Sequence, residues 1–185
     1  MRADPDAGAC LRWGVLALGL MLGLPAAGGS APTEAPIERP RARLEAPDFS
    51  LQGLHGETLR LSAYRGRVVI LNFWASFCAP CRHEMPALQR LWDRYRDRGL
   101  VVLAVAADRG DSRQVRRFVE QGGYTFPVAL DPTGAVRNRY EVVVLPTTYL
   151  IARDGRFSGR ALGERQWDGP AIRSLVESLL GTGVP

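Results

Sequence analysis

An α/β fold, a mixed β-sheet flanked by helices on both faces with a β-hairpin extension at its N-terminal end, is what this sequence predicts. Three observations carry that reading. The runs Val68–Trp74, apolar except for Asn72, and 100–107, apolar throughout, are rich in β-branched residues, as strands buried on both faces are. Between them, Leu88, Leu91, Trp92 and Tyr95 mark one stripe of a helix with arginines on its other face. Strand, helix and strand in that order imply parallel pairing through a right-handed crossover. Finally, the turn signals His55-Gly56 and Asp154-Gly155 each sit between short strand patterns, which adds antiparallel hairpins to the sheet.

The chain of 185 residues is long enough for one domain with a sizeable core and some tails. Residues 1–12 are polar and carry Arg2 and Arg12, Trp13 to Leu24 is apolar, and small residues follow through Ala31. That three-part pattern predicts a secretory signal over residues 1–31. The apolar run is shorter than the ~20 residues of a membrane-spanning helix, and retention as an N-terminal membrane anchor is the competing expectation. Residues 32–45 read as a Pro-rich linker outside the fold, with Pro32, Pro36 and Pro40 and few large apolar residues. The domain itself is expected over residues 46–182.

Within it, Asp48–Leu51 and Glu57–Leu61 form the first hairpin, and Gly66 turns the chain into the central strand, expected over Arg67–Trp74. A long helix runs from about Cys78 to Arg98 with Gly99 as its C-terminal cap, and Pro86 inside it removes one helical N–H. Asp111 or Ser112 starts a second helix closed by Gly122-Gly123. Phe126–Leu130 is a short strand and Gly134–Tyr140 a short helix. Val142–Ile151 is read as a strand despite Pro146, and Asp154-Gly155 turns into Arg156–Ala161. The last helix covers Pro170–Leu180, with Asp168 as its expected cap.

The chemistry concentrates in Cys78-Ala79-Pro80-Cys81, where the central strand ends and a helix begins. A thiol at a helix N-terminus faces unpaired N–H groups and the positive end of the dipole, which stabilise its thiolate. The thiolate is the species that attacks disulfides. Zinc would need four ligands, and the chain has three cysteines and two histidines in all. Attachment of c-type haem needs Cys-x-x-Cys-His, but Arg82 precedes His83. A peroxiredoxin-type Pro-x-x-x-Thr-x-x-Cys would require proline and threonine where Leu71 and Ala75 stand. Cys10 lies ahead of the apolar run and is expected to leave with the signal, so an even pair remains, suited to an oxidising compartment.

From Ala46 to Leu180 the sequence resembles the thioredoxin-like proteins of the TlpA/ResA branch, on the strength of Cys78-Ala79-Pro80-Cys81 after a strand ending in Trp74 and of Leu145-Pro146-Thr147-Thr148. The resemblance implies an extracytoplasmic thiol:disulfide oxidoreductase acting on protein cysteine pairs without a cofactor or metal. Cys78 would be the nucleophile, Cys81 the resolving thiol, and Pro80 would restrict the backbone between them. Pro146 would be a cis-proline opposite the cysteines, leaving the Leu145 backbone free to pair with substrate. Family members carry a glutamate at the position of Glu84, and thioredoxins place an acid where Asn72 stands. Trp74 would support the site from the strand. Phe77 and Ala79 depart from the usual tryptophan and glycine, which leaves the reduction potential and the partner surface open. The implied partners are substrate proteins and a membrane thiol-reducing electron donor.

Two other functions fit the same cysteines: a thiol peroxidase, and a non-enzymatic copper-binding module. The net charge of +5 is carried by arginine without a single lysine. Arg90, Arg94, Arg98, Arg113, Arg116 and Arg117 fall on polar helix faces among Asp93, Asp97 and Glu120, with no interleaved aromatic residues. That excludes a nucleic-acid platform and predicts a solvated surface. His83, on an exposed turn, is likewise expected at the surface.

Overall fold

The computed structural model describes residues 36–40, 42 and 44–181; the expected signal or anchor segment and Cys10 lie outside the described residues. Seven strands form one mixed sheet in the order β2-β1-β5-β4-β3-β6-β7. They are β1 (Ser50–Gly53), β2 (Thr58–Arg60), β3 (Val68–Trp74), β4 (Leu100–Ala106), β5 (Val128–Leu130), β6 (Thr147–Ile151) and β7 (Phe157–Leu162). The helices are α1 (Ala79–Tyr95), α2 (Arg113–Gly122), α3 (Ala135–Arg139) and α4 (Pro170–Gly181).

The two apolar runs lie where their composition puts them, at the centre. Strands β3 and β4 are parallel in the register Val68–Leu100 to Trp74–Ala106, and every residue of both is buried. Alternation then divides their side chains between two cores. Val68, Ile70 and Trp74 pack with residues of α1, α2 and α4, whereas Val69, Leu71 and Phe73 pack with Val136 and Tyr140 at α3 and with Phe49, Leu59 and Leu61. Strands β1 and β2 form the expected N-terminal hairpin, and β1 adds antiparallel to β5.

Helix α1 continues through Pro86, passes into a short 3-10 turn over Arg96–Arg98, and stops at Gly99, whose φ of 96° favours glycine. In α2 it is the Asp111 carboxylate that caps, accepting from the N–H of Arg113 at 2.7 Å, and Gly123 closes the helix. Asp168 does not cap α4: its carboxylate is engaged by Arg90 (2.5 Å) and Gln166 (3.0 Å).

Two further expectations need correction. The strand expected over Val142–Ile151 begins only at Thr147. The preceding loop opens at Glu141 with φ 52° and leaves Val143 80 % and Val144 50 % exposed, because proline cannot donate to the ladder. The described residues of the Pro-rich stretch are also not detached from the fold. Glu38 and Arg160 exchange both backbone hydrogen bonds at 2.8 Å, and the N–H of Phe157 donates to Leu44 at 2.9 Å. Ile37 packs against the core, so this stretch lies along the outer edge of β7 and covers a row of otherwise unpaired groups.

Candidate active site

The loop between β3 and α1 is fixed from both sides before it reaches the cysteines. The N–H of Ala107 donates to the carbonyl of Trp74 at 2.8 Å, extending the β3–β4 ladder to the end of both strands. Just beyond, the Asp108 carboxylate accepts from the Ser76 N–H (3.0 Å) and also binds the Ser76 hydroxyl. The N–H of Cys78 then bonds back to the Ala75 carbonyl at 3.1 Å, a turn that leaves Phe77 74 % exposed.

Cys78 is the N-cap of α1. Its sulfur accepts from the Cys81 N–H at 3.3 Å, so the end of the helix is satisfied by the residue expected to react. Pro80 lies in the first turn, where its missing N–H costs nothing. Cys78 and Cys81 are joined as a disulfide with Cα atoms 5.3 Å apart. Cys78 is partly exposed and Cys81 fully buried, so the two sulfurs differ in access as nucleophile and resolving thiol require.

One turn further on, Glu84 is not a solvated helix residue; it is 2 % exposed. Its carboxylate accepts from Asn72 Nδ2 (2.8 Å), from the Trp167 indole N–H (2.9 Å) and from the Arg165 backbone N–H (3.2 Å). Asn72 Nδ2 also reaches Thr148 Oγ1 at 2.8 Å, which links the acid through β3 to β6. Burial pushes the Glu84 carboxyl up to about 7, against the lowering effect of these three donors, because removing a carboxylate from water disfavours its charged form. Asn72, noted in the sequence only as the place where an acid is missing, thus holds the acid that stands on the helix instead.

Pro146 arrives at the same end of the sheet. Thr147 pairs with Phe73, so Leu145 and Pro146 leave β6 where β3 runs out toward the cysteines. The Leu145–Pro146 bond is cis, the geometry the resemblance implies, and Leu145 is half-buried against both cores. Trp74 ends β3 fully buried beside Phe118, with ring centres 5.4 Å apart. His83 is exposed, as expected, and lies 3.5 Å from Glu164.

A family model described as the AhpC/TSA family matches residues 43–158. The chain belongs to the AhpC/TSA family. Within it, the chain is 39 % identical over 121 residues to the thiol-disulfide oxidoreductase ResA of Bacillus thuringiensis subsp. konkukian, covering 65 % of this chain and 69 % of that protein. Against ResA of Geobacillus kaustophilus the identity is 45 % over 111 residues, covering 60 % and 63 %. A solved DsbE-type thiol:disulfide interchange protein from Chlorobium tepidum superposes with a TM-score of 0.71 at 34 % identity, covering 79 % of this chain and 100 % of that one. The protein is therefore a thiol-disulfide oxidoreductase with a thioredoxin-like fold, and its substrates are cysteine-bearing proteins.

Three residues of this oxidoreductase's site were not found from the sequence. Asp108 had a readable signal, a polar residue directly after a buried parallel strand, where α/β folds place functional groups. Trp167 and Arg165 had none, since only the folded chain brings their loop across α1 to Glu84.

Proposed function

We propose that the protein works outside the cytoplasm as a reductant of cysteine pairs in exported proteins, such as apocytochrome c or copper-site proteins, and is itself re-reduced by a membrane thiol donor. The partly exposed Cys78 beside a buried Cys81, with Glu84 enclosed one turn behind, is the observation that carries this reading. In the reduced form the Cys78 thiolate attacks one sulfur of the substrate disulfide and expels the other as a thiolate. Cys81 then loses its proton and attacks Cys78, releasing the second substrate thiol and leaving the Cys78–Cys81 disulfide. Glu84, with a carboxyl titrating near 7, exchanges a proton with the resolving thiol, and its carboxylate opposes a second negative charge nearby. That opposition disfavours the thiolates and makes the dithiol a better donor. The backbone of Leu145, ahead of Pro146, pairs with the extended substrate segment. Pro80 and Trp74 hold the loop and the strand end that present the cysteines.

The N-terminal segment would direct export and, if retained, tether the domain. The domain is best bounded to include the stretch from Ile37 that lies along β7. A peroxidase reading lacks a hydroxyl at position 75, where Ala75 is buried at the end of β3. Cys81→Ser tests the proposal: mixed disulfides through Cys78 should accumulate, and mass spectrometry names the partners. No adducts, or a reduction potential near the about −120 mV of strongly oxidising exchange proteins, would refute it.

A further inference from the structure

The rim of the site carries charge that thiol exchange itself does not require. Beside Phe77, between the loop after β4 and the start of α2, an open cavity of about 570 Å3 is lined by Asp108, Arg109, Arg113, Arg117 and Arg137. A second cavity, of about 330 Å3, lies between Ser76, Arg82 and Phe118, and Arg117 borders both. Together they make a trough that starts at the residue preceding Cys78. Its carboxylates are already engaged: Asp108 holds Ser76, and Asp111 accepts from the N–H and the guanidinium of Arg113. Those bonds from Arg113, with the more distant charge of Arg117, keep the Asp111 carboxyl below its usual range. Arg137 is turned to the carbonyls of Val142 (3.0 Å) and Val143 (3.3 Å), and Arg82 lies over the Phe118 ring at 5.1 Å.

Arg109 and Arg117 are exposed and form no ion pair among the described residues. The sequence places Arg117 on an ordinary solvated helix face, and the fold moves it to the wall of a trough beside a redox cysteine. A polypeptide bound at Cys78 and along Leu145 that continues past Phe77 lays its other flank across this rim. Phe77, the residue before Cys78, lines the first cavity together with both arginines, so the flanking positions of such a substrate come near them.

We propose that the trough selects protein substrates carrying acidic residues close to the target cysteine, with Arg109 and Arg117 as the selecting groups. This deepens the exchange reading and rests on Cys78 being the attacking thiol. Exposed charge pairs contribute little each, but rim charges steer encounter and are sensitive to salt, so a moderate, screenable preference is expected. The test uses the reduced full chain and three disulfide-bonded peptides identical except for two glutamates, two glutamines or two lysines beside the cysteine. At about 20 mM salt the Glu peptide should be reduced about three- to tenfold faster than the Gln peptide, and the ratio should shrink toward one at about 0.5 M. In R109Q/R117Q the ratio should fall to about one, and R109E/R117E should favour the Lys peptide. A wild-type ratio of one or below, or a preference that survives in R109Q/R117Q, overturns the selection. Reduction of none of the three peptides would instead overturn the exchange reading, and the selection with it.

Discussion

Glu84 is 2 % exposed and held by three N–H donors from two separate segments, whereas Arg117, at the rim of the same cysteine site, is exposed and has no ion-pair partner among the described residues. Both are charged residues on helices. The difference lies in solvent. Behind the cysteines, burial changes the ionisation of the acid, and each hydrogen bond acts in a medium where a lost partner costs about 1–3 kcal/mol. At the rim, charges stay hydrated and act through diffusion and screening. The back of the site is therefore suited to setting when the thiols react, and the rim to setting with what they react.

Glu84→Gln should separate those roles with the largest effect. It keeps the size of the side chain and removes its titration, so exchange should slow by about tenfold or more and the part of its pH profile that titrates near 7 should vanish. Stability follows the same group. A carboxyl raised from 4.5 to about 7 is more protonated in the folded than in the unfolded state between those values. Its contribution is full below pH 4.5 and is lost as pH rises through 7, by about 3 kcal/mol. Denaturant melts across that range should show the slope in the wild type and not in Glu84→Gln. An unchanged pH profile and an unchanged slope would return Glu84 to an ordinary buried residue.

Trp167→Phe asks whether the back of the site is a connected unit. It removes one donor to Oε2 while keeping most of the apolar bulk, so the Glu84 carboxyl should titrate higher still. The domain should lose about 1–3 kcal/mol. Exchange measured against pH should move its inflection upward, a change that loss of packing alone would not produce.

What could be read before folding divides along the same line. The central strands, the crossover helix and the cysteines at its N-terminus follow from local pattern, because a doubly buried strand and an N-cap are written in neighbouring residues. The loop from Glu141 to Pro146 was misread as strand because Val142, Val143 and Val144 have the composition of one, and composition does not record that a proline ends the ladder there. Glu84 could be singled out from the family resemblance, yet its burial could not. That depends on Trp167 and Arg165, more than eighty residues away in the chain. Ile37 and Glu38 were assigned to a linker for a similar reason: their partners lie on β7, and edge pairing leaves no periodic signal in so short a segment.

The smallest effect is expected at the apolar part of the rim. Phe77 and Val143 are 74 % and 80 % exposed, and Phe77 directly precedes Cys78 while Val143 lies in the loop leading to Pro146. An exposed apolar side chain adds little to folding, so Phe77→Ser and Val143→Ser should each leave stability within about 0.5 kcal/mol. On binding, the same side chains leave water against the substrate. Partial burial of one such group gives a free energy on the order of 1 kcal/mol, or a few-fold in affinity. Because that contact is present before and during thiol attack alike, its loss should raise KM for protein disulfides while kcat is retained. Steady-state reduction of a protein disulfide, set beside the pH profile of each variant, gives the readout. A fall in kcat, or a shifted inflection near 7, would mean that the rim acts on the thiols themselves and that the division between the two sides of the site is wrong.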